Sequence, residues 1–296
     1  MLTGSTGFLG NIIYQKLIQN HDVCGVSRST NSFFSCDLSK EIPSFETKFD
    51  LVIHAAGIAH LNEFEEIDIY KTNVQGTINL LNSFNKSILP EKFVFISSVS
   101  VYGRNHGYII DENEPLSAND IYGKCKIASE KLIFDWGKKN NVQCTILRLP
   151  LVVGPNPPGN LGSMINAIKK GYYFNIAGGN AKKSMVLATD VSKFILLAAE
   201  KGGTYNLTDG YHPSFKALSK SIAFQVGKAF VPNMPKFIAL LLAKIGDLLG
   251  NKFPINSQKL SKITSTLTFD DTKARLVFGW DPSPVLDFFK IKQDVK

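Results

Sequence analysis

The sequence predicts an α/β protein, with a doubly wound parallel sheet followed by a smaller, mainly helical region. Short apolar runs alternate with longer helical patterns, and each run is continuous rather than alternating with polar residues. Continuous runs are typical of parallel strands that are buried on both faces. The composition of the 296 residues, 44% hydrophobic and 20% charged, excludes disordered, collagen-like and coiled-coil proteins.

Predicted strands and helices follow one another through the first half of the chain. The strands are predicted at residues 23–26, 51–53, 93–96 and 145–147. The helices are predicted at residues 10–19, 67–85 and 121–138. Right-handed crossovers would bring the carboxyl ends of these strands to one edge of the sheet, where ligands bind.

A glycine-rich turn at residues 4–10 reads Gly-Ser-Thr-Gly-Phe-Leu-Gly. The first glycine permits a tight turn, the second lets the backbone approach a pyrophosphate, and the third lets the helix pack on the strand. The N-terminus of that helix offers free N–H groups and the positive end of its dipole. The turn therefore predicts Rossmann-like dinucleotide binding. The predicted contacts are Gly4, Thr6, Gly7, Phe8, Leu9 and Gly10.

The alternating pattern ends at Gly154, and the next five residues read Pro-Asn-Pro-Pro-Gly. We expect residues 1–154 to form the dinucleotide-binding domain and residues 155–296 to form a second region, part of which returns to the sheet. Only Met1 to Thr3 precede the first glycine, whereas a strand usually has about five residues. A start codon assigned late or a truncated N-terminus is therefore expected.

Charge and cysteine content narrow the class of protein. The net charge of +8 is scattered, and the longest basic pairs are at residues 138–139, 169–170 and 182–183. A nucleic-acid site would cluster more strongly, so no nucleic-acid partner is predicted and anionic small molecules are favoured. The four cysteines lack metal-ligand or redox spacing, and the N-terminus lacks a basic leader. We expect reduced thiols, no metal site and a cytoplasmic protein.

The longest apolar stretch runs from Phe237 to Leu249 and is interrupted by Lys244 and Asp247. It is too short to span a bilayer, so no integral membrane segment is predicted. The stretch favours a buried or groove-lining helix, with contact to a membrane surface as the alternative.

The residues after the second strand bear on the choice of cofactor. An acidic residue there would bond the 2′-hydroxyl of NAD, but this chain has Ser27 and Arg28. An uncharged residue followed by arginine suits a 2′-phosphate, so the pair favours NADP(H) over NAD. The alternative is that Arg28 is an ordinary surface arginine.

Two further turns are candidate cofactor contacts. The carboxylate of Asp37, before Leu38, could accept a hydrogen bond from the adenine amino group, or it could cap a helix. The small residues Ala55, Ala56 and Gly57 directly follow a strand. Such residues would let the backbone approach the cofactor, or they could form a simple packing turn.

The central candidates for catalysis are Ser98, Tyr122 and Lys126. Tyr122 and Lys126 are four residues apart on a predicted helix, so they point to one face. A lysine ammonium near a phenol favours the phenolate, and we expect Lys126 to lower the pKa of Tyr122 and make it a general acid/base. Ser98 ends a strand, and its hydroxyl could hold a substrate oxygen. The alternative is an amphipathic helix face with no chemical role.

These motifs, in this order, resemble the extended short-chain dehydrogenases/reductases, and within them the nucleotide-sugar epimerase/dehydratase group. The resemblance covers nearly the whole chain. Besides the motifs above, it rests on Asn73, Arg148-Leu149-Pro150, Gly159-Asn160-Leu161, Asp270 or Asp271, Lys273 and the ending Phe278-Gly279-Trp280-Asp281-Pro282.

The resemblance implies site residues that the motifs alone do not. It implies cofactor contacts at Asn73, Lys126 and Pro150, and it makes residues 155–296 the nucleotide-sugar-binding region. It also implies that Lys183 stands where such enzymes often carry an arginine beside the nucleotide. The implied substrate contacts are Ser98, Ser100, Tyr122, Asn160, Leu161 and Lys183.

One departure from the group narrows the expected reaction. The 4,6-dehydratases carry an Asp-Glu pair where this chain has Val99 and Ser100, so dehydration is not expected. Pro150 and Leu151 resemble the subgroup that acts on UDP-N-acetylhexosamines or their 6-deoxy-4-keto derivatives. That subgroup contains 4-epimerases and 4-keto reductases.

The expected function is an NAD(P)-dependent oxidoreductase acting at C4 of a UDP-sugar in polysaccharide biosynthesis. Because Arg28 favours NADPH, 4-keto reduction of a UDP-6-deoxy-4-keto-N-acetylhexosamine is favoured over the alternative, a UDP-hexose or UDP-N-acetylhexosamine 4-epimerase. A non-catalytic NADP sensor is a distant alternative, since it would not need the three catalytic candidates. The resemblance also implies a homodimer.

Overall fold

A computed structural model of the chain describes residues 1–59, 64–84, 88–249 and 256–291. Its strands are β1 (Leu2–Thr3), β2 (Gly25–Ser27), β3 (Phe34–Ser35), β4 (Leu51–His54), β5 (Lys92–Ser98), β6 (Gly107–Ile110), β7 (Gln143–Leu149), β8 (Leu151–Val153), β9 (Asn175–Ile176), β10 (Met185–Leu187), β11 (Gly203–Asn206), β12 (Asn233–Met234) and β13 (Leu267–Phe269). Its helices are α1 (Phe8–Leu17), α2 (Glu66–Tyr70), α3 (Gly76–Asn82), α4 (Ile121–Asn140), α5 (Gly159–Lys170), α6 (Ala188–Ala199), α7 (Phe215–Gln225), α8 (Lys236–Leu249), α9 (Ser257–Thr264), α10 (Thr272–Phe278) and α11 (Val285–Phe288).

Seven parallel strands form the main sheet in the order β3-β2-β1-β4-β5-β7-β11. The chain builds outward from β1 to β3 on one side and then from β4 to β11 on the other. The predicted doubly wound sheet is therefore confirmed. Its strand order reverses between β1 and β4, and ligands bind in the crevice at such a switch point.

Both faces of the sheet are buried, as the continuous apolar runs predict. Along β5, Phe93 and Phe95 face the side that carries α3 and α4. Val94 and Ile96 face the other side, which carries α1 and α6. Successive side chains of a strand point to opposite faces, so a run without polar residues supplies two cores at once.

The helix predicted over residues 67–85 is interrupted. A π-helical turn, Lys71–Gln75, separates α2 from α3, and such turns are frequent at functional sites. Residue 85, the predicted end of this helix, lies outside the described residues. The short strand β3 lies just before Asp37, where the sequence predicts that a third strand ends, and β11 adds a strand to the main sheet from beyond residue 154. The division of the chain at residue 154 stays a prediction.

Residues 237–249 form a helix, but the prediction that this helix is buried or lines a groove is wrong for most of its large side chains. In α8 only the small residues Ala239, Ala243 and Gly246 are buried, and its other side chains are half-buried or exposed. Among the residues that the structure describes, none of the helices has both the length and the apolar content that crossing a bilayer requires.

Candidate active site

The glycine turn lies at the switch point, directly after β1. Gly4 has φ +70°, and a Cβ on it would lie 2.7 Å from the nitrogen of Ala56, so the backbones of the two turns touch. A Cβ on Gly10 would collide with the Gly4 carbonyl oxygen, so α1 packs tightly on the turn. Gly7 precedes α1 and no side chain caps that helix. The turn thus fits a dinucleotide diphosphate, because the first N–H groups of α1 are left without a side-chain cap at the positive end of the helix dipole.

The other predicted residues of the turn are accessible to different degrees. Thr6 is exposed, whereas Phe8 and Leu9 are half-buried. Leu9 packs against the core on the α1 side of the sheet. A Cβ on Gly154 would lie 3.1 Å from the Phe8 ring, so the two segments are neighbours.

A buried hydroxyl–imidazole–hydroxyl chain fixes the neighbouring turn. His54 Nδ1 lies 2.7 Å from Thr3 Oγ1, and its Nε2 lies 3.0 Å from Thr77 Oγ1. The Ala56 N–H donates to the same Thr3 oxygen at 3.2 Å. Burial lowers the pKa of His54 to about 3, so the ring is neutral at physiological pH. These hydrogen bonds hold Ala55 and Ala56 in place at the end of β4.

The side chain of Asn73 serves the protein itself. Its Oδ1 accepts from the Ile58 N–H at 2.7 Å, and its Nδ2 donates to the Ile58 carbonyl at 3.0 Å. A Cβ on Gly57 would lie 3.0 Å from Asn73 Oδ1 and 3.6 Å from Lys126 Nζ. Asn73 therefore shapes the turn that leads to Lys126, and its cofactor contact stays a prediction.

The residues after β2 and β3 are placed at the same edge. Ser27 is buried, and its hydroxyl hydrogen-bonds to that of Ser32. Arg28 is exposed and forms no ion pair with any residue in the described ranges. The Asp37 carboxylate accepts from the Ser39 N–H and hydroxyl, so it caps a turn, and Leu38 is buried behind it.

The catalytic candidates meet where α4 begins against the end of β5. Ser98 ends β5, and its Oγ accepts from the Ser100 N–H at 3.2 Å. A Cβ on Gly123 would lie 2.8 Å from the Ser100 carbonyl oxygen, so only a glycine lets α4 approach this closely. Asp120 caps the helix by accepting from the Gly123 N–H at 2.9 Å. The Tyr122 hydroxyl is consequently within hydrogen-bond reach of Ser98.

The predicted lowering of the Tyr122 pKa is wrong. Burial raises the pKa of Tyr122 to about 12, and the hydrogen bond with Ser98 opposes this only in part. Lys126 Nζ lies 5.8 Å from the Tyr122 ring centroid and donates instead to the Ile96 carbonyl at 2.8 Å. Burial also lowers the pKa of Lys126, to about 8. Desolvation thus disfavours the charged form of both groups.

A buried ion pair beneath these residues was missed by the sequence reasoning. Arg148 Nε and Nη2 donate to the two Glu130 oxygens at 3.0 and 2.7 Å, and both side chains are almost fully buried. Ser97 Oγ donates to the same carboxylate at 2.5 Å. The signal was available, because Glu130 follows Tyr122 and Lys126 at eight and four residues on one helix face. The pair ties α4 to β5 and β7.

The predicted substrate residues lie around the same edge. Ser100 Oγ is buried without a hydrogen-bond partner, and such a hydroxyl suits a ligand oxygen. Pro150 separates β7 from β8. Asn160, exposed, and Leu161, buried, lie in the first turn of α5, which no side chain caps. Burial and the neighbouring Lys262 lower the pKa of Lys183 to about 8.

A model of the NAD dependent epimerase/dehydratase family matches residues 1–208. The chain belongs to this family. It is 26% identical to N-acetyl-alpha-D-glucosaminyl-diphospho-ditrans,octacis-undecaprenol 4-epimerase of Escherichia coli O157:H7, over 92% of this chain and 87% of the relative. It is 30% identical to a decarboxylating sterol-4-alpha-carboxylate 3-dehydrogenase of Dictyostelium discoideum, over 94% of each chain.

A solved structure is similar along nearly its whole length. The structure of UDP-glucose 4-epimerase from Thermotoga maritima with UDP-glucose aligns with a TM-score of 0.74, at 22% identity, over 95% of this chain and 93% of that one. This likeness agrees with the Rossmann-like fold of the epimerase/dehydratase family. The resemblance read from the motifs is confirmed, and the chain is an NAD(P)-dependent enzyme of this family.

Proposed function

We propose that this enzyme is a 4-epimerase of a sugar carried on a diphosphate, with a UDP-sugar as its expected substrate. The observation that carries oxidation and reduction at a sugar carbon is the meeting of Ser98, Tyr122 and Lys126 at the sheet edge that also holds the glycine turn. The name of the Escherichia coli relative, a 4-epimerase of a diphosphate-linked sugar, supports the choice.

Tyr122 is the proton carrier in this proposal. Its phenol, with a pKa of about 12, is protonated at neutral pH and can donate a hydrogen bond to an oxygen at C4. A nicotinamide dinucleotide bound at the glycine turn would supply the hydride acceptor and donor, and the positive charge of its oxidised ring would favour the Tyr122 phenolate. The phenolate takes the proton of the C4 hydroxyl as C4 gives up hydride. Tyr122 returns the proton when hydride comes back to the other face of the 4-keto sugar.

Ser98 and Lys126 position the reacting groups. Ser98 Oγ accepts from the Ser100 N–H and lies within hydrogen-bond reach of the Tyr122 hydroxyl, so a substrate C4 oxygen that enters between them can bond to both. Lys126 is held by the Ile96 carbonyl and lies next to Gly57, where it can donate to the cofactor ribose. Both side chains are fixed by strand β5, and such fixed donors cost little reorganisation during the reaction.

The diphosphate would lie between the start of α5 and Lys183. The first N–H groups of α5 have no side-chain cap, and the helix dipole is positive at that end. Lys183 and Lys262 are close enough for one to lower the pKa of the other. Two neighbouring cations repel each other unless an anion lies between them, and a diphosphate meets this requirement.

A 4-keto reductase is the second candidate. Arg28 is exposed without an ion pair in the described ranges, at the end of β2, and this favours a 2′-phosphate and hence NADPH. A reductase exchanges its cofactor in every turnover, whereas an epimerase recycles it. The two candidates use the same three residues, so the fate of the cofactor distinguishes them.

The proposal is tested with purified protein and UDP-N-acetylglucosamine, with the products separated by anion-exchange chromatography. We expect UDP-N-acetylgalactosamine to appear without a stoichiometric reductant, with at most a catalytic amount of NAD(P). Oxidation of one NADPH for each UDP-4-keto sugar, without interconversion of the 4-epimers, would overturn the proposal and establish the reductase.

A further inference from the structure

The surface of α8 is built with its small residues inward and its large residues outward. Ala239, Ala243 and Gly246 are buried, and the two alanines pack with Leu260 of α9. The helix repeat puts the opposite face at Phe237, Leu241, Lys244 and Leu248, spaced by four, three and four residues. We call these four residues the α8 stripe. Its three apolar members are among the most exposed large apolar residues described.

The segment around the α8 stripe also carries most of the net charge of the chain. Residues 211–269 contain eight lysines and one acidic residue, Asp247, and so hold seven of the eight net positive charges. The sequence-based statement that the excess is scattered is therefore wrong at the scale of segments. The Asp247 carboxylate accepts from the N–H and hydroxyl of Ser257, which directs it to the start of α9.

We propose that the α8 stripe binds the surface of an anionic lipid bilayer. An interfacial helix combines a large apolar face with lysines that reach anionic headgroups, and α8 has both. Lys244 lies within the stripe, where its aliphatic part can follow the apolar side chains while its ammonium reaches the headgroups.

Other occupants fit this surface less well. A second copy that met the α8 stripe about a two-fold axis would bring the same lysines together, because such contacts pair a patch with itself. A nucleic acid would engage the lysines but would leave Phe237, Leu241 and Leu248 in water. An anionic bilayer satisfies the apolar and the cationic groups together.

Helix α9 connects the docking surface to the proposed substrate site. Its Leu260 packs against the buried alanines of α8. The positive charge of its Lys262 is close enough to Lys183 to lower the pKa of that lysine. This step rests on the proposed function: if Lys183 binds the diphosphate of the substrate, docking through α8 holds that site close to the membrane. A sugar diphosphate anchored in the bilayer by a lipid would then reach it without leaving the membrane.

The test measures sedimentation of the 296-residue chain with vesicles, in the absence of any sugar substrate. Vesicles of phosphatidylglycerol and phosphatidylcholine are compared with vesicles of phosphatidylcholine alone. We expect binding to the anionic vesicles to be at least about tenfold stronger and to weaken with salt. Absence of binding to anionic vesicles at low salt would overturn the proposal.

A matched pair of variants separates the α8 stripe from general stickiness. Leu241→Ser with Leu248→Ser removes side chains that are 62% and 87% exposed, and Leu197→Ser with Leu276→Ser removes side chains that are 50% and 82% exposed elsewhere. The first pair should lose binding about tenfold or more, and the second should stay within about twofold of the wild type. Equal losses would overturn the proposal.

Two further readouts keep the proposals apart. If sedimentation velocity shows a dimer that only the Leu241→Ser, Leu248→Ser variant loses, while vesicle binding is unchanged, the surface binds a second copy and the proposal falls. Turnover of a water-soluble UDP-sugar should be equal in both variants and the wild type. Vesicle binding without any epimerase activity would overturn the proposed function and leave the docking surface standing.

Discussion

At the carboxyl edge of the sheet, polar side chains are held by buried partners, whereas on α8 large apolar side chains face outward. Lys126 is bonded to the Ile96 carbonyl, and Glu130 is paired with Arg148. On α8 the buried positions are filled by small residues. The first arrangement fixes atoms to fractions of an ångström, as chemistry requires, and the second leaves a surface for contact.

The largest effect is expected from Tyr122→Phe, which removes the proton carrier and keeps the ring. Turnover should fall by about 10²–10⁴-fold, while cofactor affinity changes little. The matched control is Tyr70→Phe, which removes a hydroxyl from an exposed tyrosine of α2. Steady-state kinetics and cofactor titration measure both. A Tyr122→Phe variant within twofold of the wild type would exclude Tyr122 from the reaction.

Glu130→Gln should cause a large loss of stability beneath the site. It leaves the buried Arg148 guanidinium without its counter-charge, and removing one member of a buried pair costs about 3–5 kcal/mol. The exposed pair of Lys131 with Asp135 is the control, and Asp135→Asn should cost less than about 1 kcal/mol. Urea unfolding measures both. A loss of stability in Glu130→Gln as small as that in Asp135→Asn would show that the ion pair beneath the site does not stabilise the protein.

Some properties of these residues could be predicted from the sequence and others could not. The glycine turn and the positions of Ser98 and Tyr122 could be predicted, because they depend on local spacing and on strand ends. The direction of the Tyr122 pKa shift could not be predicted, because it is set mainly by burial, a tertiary property, and because Lys126 donates to the Ile96 carbonyl. The use of Asn73 inside the protein likewise depends on Ile58, which is distant in sequence.

The surface of α8 is a second property that the sequence alone could not predict. An apolar stretch of this length predicts a helix, but its pattern cannot tell whether the small or the large residues face the protein. Packing against Leu260 of α9 decides this, and α9 is separated from α8 by a segment outside the described residues. The charge of the segment is readable from the sequence, but only when lysines are summed over tens of residues, because they do not form a run.

Arg28→Ala tests the cofactor choice at the edge of the site. If Arg28 binds a 2′-phosphate, the variant should lose about 10–100-fold in affinity for NADPH, while NADH is bound as before. Lys16→Ala, in the last turn of α1, is a control for the loss of one positive charge. Isothermal titration with both cofactors gives the answer. Unchanged preference in Arg28→Ala would make Arg28 an ordinary surface residue and remove the main support for the reductase.

His54→Gln tests the buried chain behind the glycine turn through its pH dependence. The folded pKa of about 3 lies below the ordinary 6.5, so below pH 6.5 the unfolded chain binds a proton that the folded chain does not. The free energy of unfolding should therefore decrease as the pH is lowered. His54 alone should account for a decrease of about 2 kcal/mol between pH 7 and pH 5. Urea unfolding at both values should show a smaller fall in His54→Gln.

The exposed His106 provides the control for that experiment. His106→Gln should show the same fall as the wild type, because it removes an imidazole from the surface and leaves the buried His54 in place. If the fall is equal in all three proteins, burial of His54 does not govern the acid sensitivity of the sheet edge.

The smallest effect is expected on the outer face of α8. Leu248→Ala should change the free energy of unfolding by no more than about 0.5 kcal/mol, since the side chain is already exposed. Ile133→Ala, in the buried face of α4, should cost about 2–5 kcal/mol. Thermal unfolding of both variants compares the two surfaces directly. A large loss in Leu248→Ala would mean that the α8 stripe packs against protein.

The central claim is that hydride leaves C4 and returns to C4 within one turnover, while Tyr122 carries the proton. The most direct measurement uses UDP-N-acetylglucosamine labelled with deuterium at C4, followed by mass spectrometry and NMR of the epimerised product. The account predicts that the product keeps its deuterium at C4, because the transferred hydride never exchanges with water. A product that carries solvent hydrogen at C4, or no epimerised product at all, would contradict it.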